Sequence, residues 1–300
     1  MRALVTGATG FVGGRLAAAL ADQGHDVRAL VRDRGRADHV AANDLHEGDV
    51  LDASSLQGAG EGVDVAYYLI HSMGRGSSDK DFQQRERIAA RNFADMAASH
   101  DVGRVVYLGG LGDDRASEHL RSRHETAEIL REHGPPLTYL RAAMVVGAGS
   151  ESYRTLRALV QRLPVMIAPA WLRTPTQPIA VDDAIAYLVR APEHTAQDVQ
   201  IGGPDVLTYG EMLDRMAHAL DRRPRPKLPV PLLSPRLSSL WVGLVTPVDA
   251  GVARPLIEGL STPTVVTDPG PAAAFGVTPT PLDRALRQAL AEESDNGGRT

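Results

Sequence analysis

The stretch Thr6-Gly7-Ala8-Thr9-Gly10-Phe11-Val12-Gly13 constrains this 300-residue chain more than any other. It follows Ala3-Leu4-Val5, a short apolar run, and it opens a segment in which Val12, Leu16 and Leu20 recur four apart until Gly24 ends the pattern. Strand, glycine turn and helix therefore follow one another directly. In such a unit Gly7 permits the tight turn, Gly10 lets the backbone approach a pyrophosphate, and Gly13 lets the helix pack close to the turn, while the helix amino end presents unpaired N–H groups to the phosphates. The spacing marks Gly7, Thr9, Gly10, Phe11, Val12 and Gly13 as a dinucleotide cradle. The competing reading is a set of glycines that serve a turn and nothing else.

The rest of the first half supports the cradle. Apolar runs at Val27–Val31, around His46, at Val63–Ile70, Arg104–Leu108 and Leu137–Arg141 have strand character. Helical patterns at about Asp81–His100 and Ser117–Glu132 lie between the later ones. Parallel strands need crossover helices, so the alternation predicts an α/β fold, a doubly wound parallel Rossmann sheet covered on both faces. After about Gly147 the rhythm loosens. Helices near Ser152–Gln161 and Thr208–Leu220, a proline-bearing strand at Gln177–Val181 and an Asp182-capped helix predict a small C-terminal substrate lobe over the carboxyl edge of the sheet. The expected division is a dinucleotide-binding domain over 1–147, with 177–202 contributing to it, a substrate lobe over 148–290 and an unstructured tail over 291–300.

Composition removes several functional classes. Lys plus Arg of 32 against Asp plus Glu of 37 gives a net charge of −5 with both signs interspersed, so nucleic acid is not an expected partner. The absence of Cys excludes disulfides, thiolate catalysis and Cys-ligated zinc. Ten His form no His-Glu-x-x-His pattern, so no metal site is expected, and no Gly-x-Ser-x-Gly elbow suggests an esterase. Apolar runs are too short to span a bilayer, and the opening residues form a strand instead of a signal peptide, which makes a cytoplasmic address the expectation. Two segments stand apart. Arg222–Arg236 holds five prolines and favours an extended path, and Leu237–Val248 is apolar with Trp241, suited either to capping the core or to peripheral contact with a membrane surface.

NAD enzymes place an acidic residue at the end of strand two to bond the ribose hydroxyls. This chain reads Leu30-Val31-Arg32-Asp33-Arg34 there, so the acid position is Val31 and guanidinium groups follow. Arg32 with Arg34 suits a ribose 2′-phosphate through forked, charge-assisted hydrogen bonds, which favours NADP(H) over NAD(H). Two solvated arginines are the alternative.

With Gly48-Asp49-Val50-Leu51-Asp52 after strand three, the chain resembles the extended and atypical short-chain dehydrogenase/reductases, in particular their NmrA-like NAD(P)H-binding branch, and it is similar to the accessory Rossmann subunit of respiratory complex I. The supporting segments are Tyr67-Tyr68-Leu69-Ile70-His71-Ser72-Met73-Gly74, Val106-Tyr107-Leu108-Gly109-Gly110-Leu111, His119-Leu120-Arg121-Ser122-Arg123-His124 and Leu140-Arg141-Ala142-Ala143. The resemblance implies that Asp49 bonds the adenine amino group and Val50 flanks the ring. It further implies that Leu69, Ile70 and His71 lie under the ribose and nicotinamide, and that the backbone at Ala142 and Ala143 passes the nicotinamide edge.

Hydride-transferring members of that superfamily carry Tyr and Lys four apart on a helix, with a Ser or Thr ending strand five. One turn of spacing stacks the two side chains, and the Lys eases proton movement by the phenol. Here one register puts His119 and Arg123 in those positions and the other puts Leu120 and His124 there, while Gly109 or Gly110 replaces the hydroxyl. Histidine manages protons near neutrality, so His71, His119 and His124, together with Arg123, are the catalytic candidates. One of Tyr67 and Tyr68 is expected to face the pocket, and Ser150 and Tyr153 are candidates for substrate contact. The expected function is an NADP(H)-dependent oxidoreductase acting on a small, largely apolar carbonyl, quinone or enone. The alternatives are a non-catalytic NADP(H)-binding sensor or assembly factor, and an epimerase or dehydratase.

Overall fold

The structure is a computed structural model that describes residues 1–70, 79–112, 118–195, 197–229 and 260–297. The first half supplies β1 (Arg2–Thr6), α1 (Phe11–Asp22), β2 (Asp26–Val31), β3 (Asp44–Glu47), β4 (Val65–Tyr68), α2 (Asp79–Ser99), β5 (Arg104–Gly110), α3 (Glu118–His133) and β6 (Leu137–Ala142). The second supplies β7 (Val145–Val146), α4 (Glu151–Arg162), β8 (Met166–Ala168), β9 (Pro175–Thr176), β10 (Ile179–Ala180), α5 (Val181–Arg190), β11 (Asp198–Ile201), β12 (Leu207–Thr208), α6 (Tyr209–Ala219), β13 (Lys227–Pro229) and α7 (Leu282–Gly297).

Seven strands form one parallel sheet in the order β11-β6-β5-β4-β1-β2-β3. Alternation along β1 explains why it lies at the centre. Ala3 and Val5 pack with Leu16 and Leu20 of α1 and Ala184 and Leu188 of α5 on one face, whereas Leu4 packs with Phe93 of α2 and Leu130 of α3 on the other. Because all strands run the same way, the residues after β2, β3, β4, β5 and β6 converge on one edge, where such sheets hold ligands.

Two expected elements are shorter in the structure, for local reasons. β4 ends at Tyr68 because the Leu69 N–H turns to the Thr6 hydroxyl, 2.9 Å away, instead of continuing the ladder. The strand expected over Gln177–Val181 divides into β9 and β10 around Pro178, which has no N–H to donate, and α5 begins at Val181. Asp182 and Asp183 thus occupy the first turn of α5 and do not cap it. Asp183 is buried and accepts hydrogen bonds from the Thr280 N–H and hydroxyl, at 2.6 and 3.0 Å, which clamps the approach to α7.

The lobe packs Leu156 and Leu159 of α4, Met212 and Met216 of α6, and Leu286 and Ala289 of α7. Where the sequence suggests an unstructured tail from 291, α7 continues to Gly297, and Glu292 and Glu293 have partners. Glu293 accepts from the Tyr153 hydroxyl at 3.0 Å and Arg157 at 2.7 Å, and Glu292 pairs with Arg15 of α1. No described helix is long and apolar enough to cross a membrane.

At the opposite edge, Arg28 is buried and donates to Asp44 at 2.7 Å and to the Gly58 and Ala59 carbonyls at 2.9 and 3.0 Å. The Arg28 hydrogen bond holds the Asp44 carboxyl below its ordinary value of 3.8. Its stabilising contribution is therefore complete above that value and is lost as pH falls through the lowered folded value. An Asp44→Asn protein should be less stable at neutral pH, and its unfolding midpoint should lose part of the native protein's decline in acid below about pH 4, measured by denaturation across pH.

Candidate nucleotide site and active site

The glycine turn has the geometry its spacing implies. Gly7 has φ +65°, and a Cβ there would lie 2.8 Å from the Leu69 carbonyl oxygen. The Gly10 N–H donates to the Gly7 carbonyl at 2.8 Å, and a Cβ on Gly13 would stand 2.2 Å from that same oxygen. The turn, the amino end of α1 and the end of β4 are thus in backbone contact. The Thr6 hydroxyl fixes the seam by donating to the Tyr67 carbonyl at 3.0 Å and accepting from Leu69 N–H. Thr9 and Gly10 form the exposed crest, and no side chain caps the first N–H groups of α1, which leaves them for an anion. Phe11 and Val12 are half-buried, and the Arg15 guanidinium sits 4.6 Å above the Phe11 ring.

The two arginines after β2 have different surroundings. Arg34 donates to the Leu45 carbonyl at 2.6 Å and lies 3.7 Å from Glu47, so it is bound to β3. Arg32 is exposed and has no polar partner among the described residues. Asp33 accepts from the Gly35 N–H at 2.9 Å and caps a short turn. After β3, one oxygen of Asp49 accepts from Leu51 N–H at 3.0 Å, while its own N–H donates to Ser55. The second Asp49 oxygen has no partner among the described residues. Val50 is buried, its carbonyl held by Asn92 at 2.8 Å. Leu69 and Ile70 are half-buried at the crevice, and Ala142 is tied to β5 by the Leu111 N–H, 2.8 Å from its carbonyl, with half-buried Ala143 beyond.

The catalytic candidates divide. His71 lies outside the described residues, and of His119 only the backbone is described, within α3. His124 meets the Tyr139 ring edge-on at 5.9 Å and belongs to the packing between α3 and β6. Arg123 is half-buried and donates to the Leu108 carbonyl, near the carboxyl end of β5, at 3.2 Å. It also lies within hydrogen-bonding reach of the Tyr107 hydroxyl, and its Nε has no partner among the described residues. Burial raises the Tyr107 phenol, and the Arg123 charge draws it partly back down.

The expected pocket tyrosine of the Tyr67 and Tyr68 pair, and Ser150 and Tyr153, take places other than those expected. Tyr67 and Tyr68 are both fully buried, in the two separate cores on either side of the sheet, and burial raises both phenols. Neither is exposed to a pocket. Ser150 caps α4 by accepting from Tyr153 N–H at 3.1 Å, and Tyr153 is buried against Glu293, so this pair is structural. Tyr139, which the sequence did not single out, stacks on Tyr107 at 5.1 Å. It fills the space above Gly109, where a Cβ would be 2.7 Å from its hydroxyl oxygen. The residue at the strand-five position is glycine because a phenol from β6 occupies the room that a side chain there would need. The signal is the register pairing of Tyr107 with Tyr139 two residues before that glycine.

Residues 7–159 match the family described as NAD(P)H-binding. The chain belongs to that family. An uncharacterised protein of Mycobacterium tuberculosis is 30% identical over 241 residues, covering 77% of this chain and 24% of the relative, so the chain spans about a quarter of the first curated relatives it matches. The ceramide reductase of Caulobacter vibrioides is 29% identical over 277 residues, 86% of this chain and 85% of that protein. A human epimerase family protein solved with NADPH has the same fold, with a TM-score of 0.73 and 19% identity over 97% of this chain and 99% of that one. Solved neighbours hold NAD as well as NADPH. The chain is a member of the NAD(P)H-binding family and has the fold of the extended short-chain dehydrogenase/reductases.

Proposed function

We propose that this family member is an NADP(H)-dependent oxidoreductase acting on a small, largely apolar carbonyl, quinone or enone. The observation that carries the cofactor preference is Arg32, the exposed guanidinium without a partner among the described residues directly after β2, next to Val31, which stands where an acid would select NAD(H). Arg34 contributes charge nearby while bonded to β3. The free oxygen of Asp49 suits the adenine amino group, with buried Val50 beneath the ring. The backbone at Leu69, Ile70, Ala142 and Ala143 borders the place of the nicotinamide.

When bound, the nicotinamide supplies or accepts a hydride. The part of Arg123 is to stabilise negative charge on the substrate oxygen, with its hydrogen bond to the Leu108 carbonyl orienting the guanidinium. The proton then comes from His71, from His119 or from water. The likeness to a ceramide reductase supports an apolar substrate.

Replacing Arg32 by Ala should weaken NADPH binding about ten- to a hundredfold and leave NADH binding nearly unchanged, measured by fluorescence titration of both nucleotides. Equal affinities in the unmodified protein would remove the preference. Turnover is tested by loss of the reduced nicotinamide absorbance across ketones, quinones and enones, with His71→Ala as the companion variant.

A second reading, a non-catalytic NADP(H)-binding sensor or assembly factor, is supported by the missing Tyr and Lys pair and by the phenol-filled space above Gly109. Tight NADPH binding without turnover on any of those substrates would favour it.

A further inference from the structure

The backbone from Asp221 to Pro229 lies along the carboxyl end of α4 and the segment after it. Arg222 donates to the Gln161 carbonyl and Arg225 to the Val160 carbonyl, each at 3.2 Å, and β13 pairs with β8 so that Lys227 stands beside Met166. These contacts gather positive charge. Arg162, Arg222 and Arg223 are exposed and Arg225 is half-buried. Among the described residues, Arg222, Arg223 and Arg225 pair with no carboxylate, although acidic residues outnumber basic ones in the chain as a whole. Lys227 differs in being neutralised by Asp214.

The same strip carries exposed apolar side chains. Of the five large hydrophobic residues that are exposed among the described residues, Val165 at 48% and Leu228 at 59% lie here, on the two paired segments. Apolar side chains set beside Arg222, Arg223 and Arg225, whose charges meet no carboxylate among the described residues, match an interface that is anionic at its surface and hydrocarbon just beneath. A phosphate backbone would use the arginines and leave Val165 and Leu228 in water.

We infer that the strip formed by residues 162–165 and 222–228 docks the protein on an anionic phospholipid surface, with the arginines at headgroup level and Val165 and Leu228 inserted below them. A net charge of −5 repels such a surface, so attraction has to come from this local patch and is screened by salt. The inference is independent of the redox reading, since no residue of the strip takes part in the nucleotide site.

Flotation of the full chain with vesicles of phosphatidylglycerol and phosphatidylcholine, against phosphatidylcholine alone, tests it. Binding is expected to the anionic vesicles only and to be released at about 0.5 M salt. Arg223 makes no hydrogen bond to another described residue, so Arg223→Gln should weaken partitioning about fivefold, and Leu228→Ser about tenfold, with nucleotide affinity unchanged as the check on folding. Equal binding to both vesicle types, no binding to either, or displacement from vesicles by a short DNA duplex that binds more tightly would each overturn the assignment.

Discussion

A Gly13→Ala protein should lose nucleotide binding by more than about a hundredfold and be destabilised by about 3 kcal/mol, while Gly14→Ala beside it should be close to neutral. The contrast rests on what each new methyl meets. At Gly13 it would lie 2.2 Å from the Gly7 carbonyl oxygen and 2.6 Å from its carbon, both backbone atoms of a turn held on its other side by Leu69. Only withdrawal of α1 from the turn relieves that clash, and withdrawal takes the helix amino end away from the phosphates. At Gly14 the nearest atom is the Ala8 carbonyl oxygen at 3.2 Å, which a small shift accommodates. Helix propensity favours Ala by up to about 1 kcal/mol at both sites and offsets little of the Gly13 cost. Chemical denaturation and NADPH titration of the two proteins measure both effects, and equal behaviour would mean that the turn adapts.

Arg123→Leu should lower kcat about a hundred- to a thousandfold on any substrate the protein reduces, with little change in NADPH affinity. Arg123→Lys should recover part of the loss, because a point charge returns without the fork that bonds Leu108. The variants also address proton supply. A rate that falls as pH rises through about 6 to 7 would be assigned to an imidazole. His124→Gln should leave both rate and pH profile unchanged, given the position of that ring against Tyr139. A changed profile would return His124 to the candidates.

The central architecture was legible because it depends on short-range pattern. Runs such as Ala3-Leu4-Val5 and Val105-Val106 can only be buried on both faces, and the glycine spacing after β1 permits few geometries. Positions at the sheet edge were legible too, since parallel strands carry Arg32, Asp49 and Leu69 to one side whatever the side chains do next. What could not be read was which side chains already have partners. Arg32 and Arg34 look equivalent in sequence, yet only Arg34 reaches the Leu45 carbonyl. Ser150 and Tyr153 follow a glycine turn, as substrate-binding residues often do, but a cap and a glutamate 140 positions away claim them. Tyr139 escaped notice because its significance depends on the glycine beside it on another strand.

The place of β11 in the sheet bears on how the chain can be made and divided. Its four residues, Asp198–Ile201, pair with β6, yet they are reached only after β7 to β10, α4 and α5 have been passed. A ribosome must release some sixty residues beyond β6 before the edge of that strand is covered, and until then its N–H and C=O groups are open to any other extended chain. A fragment ending at residue 147 would keep that exposed edge permanently. It would also lose Glu292, the partner of Arg15 in the nucleotide-binding helix. A chain cut after residue 147 should therefore aggregate more readily than the whole chain, measured by sedimentation of the two proteins.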